Sequence, residues 1–171
     1  MPNLKEIKRR IQSVKNTQQI TKAMKLVAAS KLRKAQHAIL EARPYAIKMM
    51  DVLNHLAARC NSDSHPLLDV REGNRHLFLL ITSDKGLCGG FNGSLIRKMA
   101  KHLKDNAQNE NSLIVAGKKG NDIFRNRPVT VTEEIINWTK NFDYLKAQGI
   151  GENLSTLFSE KKVDKVFMVY N

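Results

Sequence analysis

The chain has 171 residues, with 29 Lys and Arg against 16 Asp and Glu, a formal net charge of +13 and a hydrophobic share of 42%. That length suits about one domain with room for a core, and the composition excludes a wholly disordered chain and a collagen-like repeat. The longest apolar runs, Leu77–Ile81 and Val166–Tyr170, are too short for a bilayer span or a signal-peptide core, which need about 20 and about 7–15 apolar residues.

The positive charge gathers at the start. Residues 1–60 hold 13 Lys and Arg and 3 Asp and Glu, whereas residues 61–171 hold 16 and 13. A block this one-sided suits an acidic partner: nucleic acid, anionic lipid or an acidic protein surface. It also has a period. With Leu4 at heptad position a, the a positions are Leu4, Ile11, Gln18, Lys25, Leu32, Ile39, Ala46 and Leu53. The d positions are Ile7, Val14, Thr21, Ala28, Ala35, Ala42, Met49 and Leu56. Thirteen of these sixteen are apolar, which predicts one long helix with a narrow coiled-coil seam. At about 1.5 Å per residue, residues 4–58 make a rod about 80 Å long. Pro44 removes a backbone donor, yet the heptad phase passes through it unchanged, so a bend is expected there and not an end.

The seam needs a partner. Gln18, Thr21 and Lys25 form one polar stretch in it, a device that fixes register at a cost in stability. Self-pairing is disfavoured, because Lys8, Lys15, Lys22 and Arg43 fall at e and Arg10, Lys31 and Arg59 at g, where like charges repel. No later segment repeats the heptad at such length. Either another protein covers the seam, or this chain is the N-terminal part of a longer one.

Residues 60–75 read as a polar linker, with Pro66 and Gly73 as breakers. Beyond it the pattern predicts strands over Leu77–Ile81, Ser112–Val115, Val129–Val131 and Val166–Tyr170. Helices are expected over Ser94–Asn106, Lys119–Arg125 and Gly151–Lys161. Alternating strands and helices imply a parallel sheet. The predicted organisation is therefore α/β: a coiled-coil helix over residues 1–59, the linker, and a Rossmann-like open sheet with flanking helices over residues 76–171.

Sites for chemistry are scarce. Cys60 and Cys88 have no CxxC spacing and are expected as free thiols. The turn from Ser83 to Gly93 joins a strand to a helix, but it lacks GxGxxG and no Gly-Lys-Ser/Thr follows. Asp84 at its start would also oppose a pyrophosphate. Gly117-Lys118-Lys119-Gly120 fails for want of a Ser or Thr after its lysines. The five histidines have no Ser/Asp or Cys/Asp companions at a recognisable spacing, and Glu133-Glu134 is expected as a solvated surface pair. No catalytic, cofactor or metal residue is assigned.

Two stretches carry a resemblance. Residues 7–32, with Thr17-Gln18-Gln19-Ile20-Thr21-Lys22-Ala23-Met24-Lys25-Leu26-Val27-Ala28-Ala29-Ser30-Lys31-Leu32 at their centre, are similar to the N-terminal helix of the F-type ATP synthase gamma-subunit family. Thr82-Ser83-Asp84-Lys85-Gly86-Leu87-Cys88-Gly89-Gly90-Phe91-Asn92 resembles that family's loop after its first strand. The family continues with more sheet and a long C-terminal helix, so the chain resembles its N-terminal portion, truncated within the α/β domain.

The resemblance implies a non-catalytic rotor shaft in a proton-translocating synthase. In the family, the terminal helices form a coiled coil inside a ring of alternating alpha and beta subunits, and the central domain sits beside the epsilon subunit and the membrane c-subunit ring. It implies partner contacts at Lys8, Arg9, Lys15, Lys22, Met24, Lys25, Lys31, Lys34 and Lys85, with the C-terminal helix as intramolecular partner and no nucleic acid. It also implies a peripheral place on the cytoplasmic face of the bacterial inner membrane. The alternative is a basic coiled-coil nucleic-acid binder. Against it, the basic segment has a single aromatic, Tyr45, and no reading motif.

Overall fold

Helix α1 runs without interruption from Leu4 to Ala57 in the computed structural model, which describes residues 3–60, 65–138 and 144–171. The side chain of Asn3 accepts from the Lys5 N–H at the N-terminus. Three acids are tied along the same helix, Glu6 to Arg10, Glu41 to His37 and Asp51 to Lys48. Exposed pairs at this spacing contribute only a few tenths of a kcal/mol each. Pro44 lies inside the helix and offers no N–H to the Leu40 carbonyl, yet the helix continues for thirteen residues beyond it, as the unbroken heptad phase expects. No residue of α1 is buried.

By backbone contacts the chain divides into two units, Met1–Cys60 and Asn61–Asn171. The second unit is built on four parallel strands in the order β3-β2-β1-β4: β1 Arg75–Ile81, β2 Glu110–Ala116, β3 Thr130–Ile135 and β4 Lys165–Val169. Helices α2 (Phe91–Asp105), α3 (Lys118–Phe124) and α4 (Tyr144–Ser159) join them. Strand alternation sorts the core into two layers. Phe78 and Leu80 of β1 pack with Leu113, Val115 and the inward residues Leu95, Met99 and Phe124 of α2 and α3. Leu77 and Leu79 face the other way, to Ile114, Ala116 and α4 residues Ile150, Leu154 and Phe158. The near-continuous apolar run of β1 is the signature of a parallel strand covered on both faces.

The elements differ from the sequence expectation mainly at their ends. Helix α2 starts at Phe91, three residues before the predicted Ser94, because Gly90 occupies the cap position and Asn92 turns inward, buried. Helix α4 starts at Tyr144, seven residues before the predicted Gly151. Gly149 and Gly151 lie inside it with open space where a Cβ would go, so they interrupt nothing.

Strand β3 runs on to Ile135 instead of stopping at Val131. Its register with β2 skips Thr132, a bulge whose hydroxyl donates to the Leu113 carbonyl. Glu133 and Glu134 are therefore strand residues with opposite side-chain directions. Both are exposed, but neither is merely solvated: the Asn153 amide donates to Glu133 and the Asn121 amide to Glu134, each at 2.6 Å.

Of the predicted linker, residues 61–64 lie outside the described residues. Pro66–Leu68 form a single 3-10 turn, and Arg75 already belongs to β1. Arg71 stacks 4.0 Å above the Phe158 ring, pairs with Asp69, and donates to the Phe158 and Val163 carbonyls. That arginine fastens the segment to the end of α4. Polar residues in the sequence concealed a tether.

A fork at the start of the sheet joins β1 to β4. Arg75 grips Asp164 through Nε at 2.9 Å and Nη2 at 2.6 Å, and the Arg75 N–H donates to the same carboxylate. Asp164 is buried, and these bonds from Arg75 hold its carboxyl below the ordinary carboxylate range. A depressed folded-state pKa gives stability that is present above the unfolded value of about 3.9 and is lost as pH falls through the folded one. Asp164→Asn is therefore expected to unfold at lower urea concentration than the parent at pH 7, with the gap closing as pH drops below about 4. Urea midpoints between pH 7 and 3 measure this.

Two glycines should respond in opposite directions. Gly117 follows β2 with φ +114°, and a Cβ there would run into the backbone of Thr82. Gly117→Ala is expected to cost about 2 kcal/mol or more, from strain and overlap together. Gly149→Ala is expected to stabilise by about 0.5–1 kcal/mol, since the space is open and the unfolded chain loses freedom. Urea unfolding followed by the fluorescence of Trp138 separates the two.

Candidate functional site

Of the nine residues singled out from the sequence, eight lie on α1 and all eight are exposed. The helical repeat puts Lys8, Lys15 and Lys22 on one edge of the seam and Met24 and Lys31 on the other, with Lys25 in the seam itself. Arg9 and Lys34 fall away from it. Among the described residues none of these seven cations has a carboxylate within ion-pair distance, because the three acids of α1 are engaged by Arg10, His37 and Lys48. The result is an apolar stripe with an uncompensated positive edge. Leu32, Ile39, Leu53 and Leu56 are each more than half exposed.

The polar stretch of the seam is occupied locally. The Thr17 hydroxyl donates to the Ser13 carbonyl, and the Thr21 hydroxyl to the Thr17 and Gln18 carbonyls. Such back-bonding satisfies Thr without a partner helix. Gln18 and Lys25 remain as the outward groups of this stretch.

Lys85, the ninth residue, is exposed on the loop between β1 and α2, in the other unit. The loop is tied together by its own side chains. Buried Asn92 accepts from the Ser83 N–H at 3.0 Å and donates to the Ser83 hydroxyl at 2.7 Å and to Cys88 Sγ at 3.2 Å. Asp84 Oδ1 accepts from the backbone N–H groups of Lys118 and Asn137. Thr82 is a buried junction: its hydroxyl lies 3.2 Å from the Gly117 carbonyl and accepts from the Gly120 N–H, while its carbonyl accepts from Trp138 Nε1. What projects from this base is Lys85 and Leu87. Leu87 has φ +61° and is 93% exposed, an apolar tip held in a costly conformation.

Nothing in the local sequence pattern assigns these bonds to Thr82, Asn92 or Trp138, and Asp84 reads there only as an obstacle to phosphate. The signal for Asp84 was its place at a strand end, where a carboxylate collects N–H groups from neighbouring loops. The others act across 9 to 56 residues of sequence, a separation that no local pattern encodes. Cys60 and Cys88 are both free and exposed.

Strand order reverses between β1 and β4, the place where open α/β sheets take ligands. The crevice there, about 250 Å³, is walled by Ile81, Phe91, Trp138 and Tyr170 and is largely apolar. Among the described residues no group of three or more His, Cys, Asp or Glu is arranged to hold a metal ion, and no helix is long and apolar enough to cross a membrane.

A family model described as ATP synthase matches residues 3–171. The chain is 42% identical over 171 residues to the ATP synthase gamma chain of Pelotomaculum thermopropionicum, covering all of this chain and 60% of that one. The gamma chain of Chloroherpeton thalassium is 44% identical over 178 residues, covering all of this chain and 58% of its own length. Among solved structures, a chain in the cryo-EM structure of the Tetrahymena thermophila mitochondrial ATP synthase central stalk and c-ring matches with a TM-score of 0.62 and 29% identity. The match covers 80% of this chain and 59% of that one. The chain thus spans about three-fifths of the length of the curated relatives it matches.

The self-satisfied loop leads to a prediction. With the Asn92, Asp84 and Thr82 side chains committed to partners within the fold, and with neither GxGxxG nor Gly-Lys-Ser/Thr in the turn, no phosphate cradle is expected there. Calorimetry on the pure chain is expected to detect no saturable ATP binding up to about 1 mM, about 4.1 kcal/mol of binding free energy. A micromolar isotherm would contradict this reading.

Proposed function

The chain belongs to the ATP synthase family, and from that premise we propose that it is rotor-shaft material: the portion of a gamma subunit that couples ion-driven rotation to ATP synthesis and hydrolysis. The observation that carries this reading is α1, a 54-residue helix with no buried residue, one apolar seam and an unpaired positive edge. A shaft needs such a helix. It must be long enough to reach through a ring, apolar on one side for its companion helix, and charged elsewhere to meet the ring.

In this reading the companion is a C-terminal helix of the gamma subunit, and the alpha and beta subunits surround the pair. Lys8, Arg9, Lys15, Lys22, Met24, Lys25, Lys31 and Lys34 face them from α1, and Lys85 faces acidic beta-subunit segments. The α/β unit stands at the foot, with the epsilon subunit and the c-subunit ring, on the cytoplasmic side of a bacterial inner membrane. The chain supplies no catalytic group. Its contribution is mechanical: it presents different faces to successive catalytic sites as it turns. Protons are the proposed driving ion.

The positive edge gives the decisive test. Lys8→Glu, Lys15→Glu and Lys22→Glu together, in a gamma subunit of full length, should weaken co-purification with the alpha/beta ring by about tenfold, equivalent to about 1.4 kcal/mol. Helix content by circular dichroism should stay unchanged, since exposed charges alter an isolated helix by only a few tenths of a kcal/mol each. Normal assembly and normal coupling of ATP turnover to ion pumping in the triple variant would reduce the edge to a solvated face.

A further inference from the structure

The α/β unit carries a second positive surface, unrelated to α1. Residues 91–128 hold eight Lys and Arg against three Asp and Glu, whereas the rest of residues 61–171 hold eight against ten. The segment holds α2, β2 and α3, and its two helices cover one face of the sheet. Arg97, Lys101 and Lys104 stand on the exposed side of α2 at spacings of four and three, so they form one row. Arg125 and Arg127, also exposed, follow α3. Among the described residues none of these five has a carboxylate within ion-pair distance. Like charges at these spacings destabilise a helix by a few tenths of a kcal/mol per pair, so the row opposes the fold that carries it.

Beside the row lies an apolar cleft of about 270 Å³ between the end of α2 and the start of β3. Leu103, Ala107, Pro128 and Val129 line it, and Lys104 and Arg127 stand at its sides. Arg127 also lies over the Phe124 ring, its guanidinium carbon 5.7 Å from the centroid, which holds one of these charges near the cleft. The volume suits one large apolar side chain. The two cations suit carboxylates on either side of it.

We infer that the α2–α3 layer is a docking surface for an acidic protein segment that seats one apolar side chain in the cleft between Leu103 and Pro128. Charge complementarity selects the partner. A row of cations alone would suit any polyanion, but a cleft of single-side-chain size flanked by two of them suits a peptide, in which carboxylates and an apolar anchor can share one helical face. A duplex has no such anchor, and a bilayer surface has no reason to prefer one pocket. The inference uses the α/β unit alone and stands or falls independently of the shaft reading.

The test uses the whole chain and a 16-residue acidic peptide with one central leucine, at low salt. Carbodiimide joins peptide carboxylates to nearby lysines, and the expected result is coupling at Lys101 and Lys104. Lys101→Glu with Arg127→Glu should weaken peptide binding about tenfold by fluorescence anisotropy, and replacing the peptide leucine by serine should weaken it several-fold. Because α1 is also basic, the chain carrying Lys8→Glu, Lys15→Glu and Lys22→Glu is run in parallel. It should keep the coupling at Lys101 and Lys104. Coupling confined to α1 lysines would overturn the inference, as would indifference to the leucine. So would tighter retention of a 20-base-pair DNA duplex, or of vesicles containing phosphatidylglycerol, through these same residues.

Discussion

The constraint on which everything else turns is the bare seam of α1. Burying one Leu or Ile side chain stabilises by about 1.5–3 kcal/mol, and α1 leaves Leu4, Ile11, Leu32, Ile39, Leu53 and Leu56 each more than half exposed. Its own helix contacts cannot offset that. The three acid–base pairs contribute a few tenths of a kcal/mol each, and Pro44 removes one hydrogen bond from the ladder. A helix in this state gains most of its stability from whatever covers the seam. In the proposed shaft this dependence is useful: a helix that supplies the cover would also fix the thickness and curvature of the rod.

The α/β unit solves the opposite problem. It fills its own core, with Leu80, Leu113, Val115 and Phe124 all essentially inaccessible, and it ties its ends down with the Arg75–Asp164 fork and the Arg71 tether. Polar side chains take up backbone groups in the loops that follow β1 and β2. Asp84 takes two N–H groups at the end of β1, and Thr82 takes the Gly120 N–H where α3 begins. The two halves of the chain thus divide the work. One buries a core of its own, although β4 leaves Phe167, Met168 and the following Tyr170 exposed, and the other buries no residue of its helix.

How much of this the sequence disclosed depended on the range of the interaction. The α1 helix was readable because a seven-residue period repeats eight times, and periodicity accumulates with length. The apolar run of β1 was equally plain. The borders of α2, β3 and α4 were not, because they depend on single residues whose effect is settled by tertiary packing. Asn92 turns inward to hold Ser83, Thr132 takes up a bulge, and Gly149 and Gly151 continue a helix they were expected to delay. Glycine weakens a helix by only about 1 kcal/mol, less than the packing of Ile150, Leu154 and Phe158 against the sheet supplies.

The candidate contact residues divide along the same line. Lys8, Lys15 and Lys22 could be assigned to one edge from spacing alone, since helical geometry fixes it. Lys85 could not, because its position depends on a loop held by partners at residues 92, 118 and 137. That dependence has a mechanical consequence. Under the proposed function a contact loop transmits force only if its base does not yield, and here the base is pinned to the ends of β1, α2, α3 and β3 at once. In the proposed function, that pinning is what a torque-bearing contact at Lys85 requires.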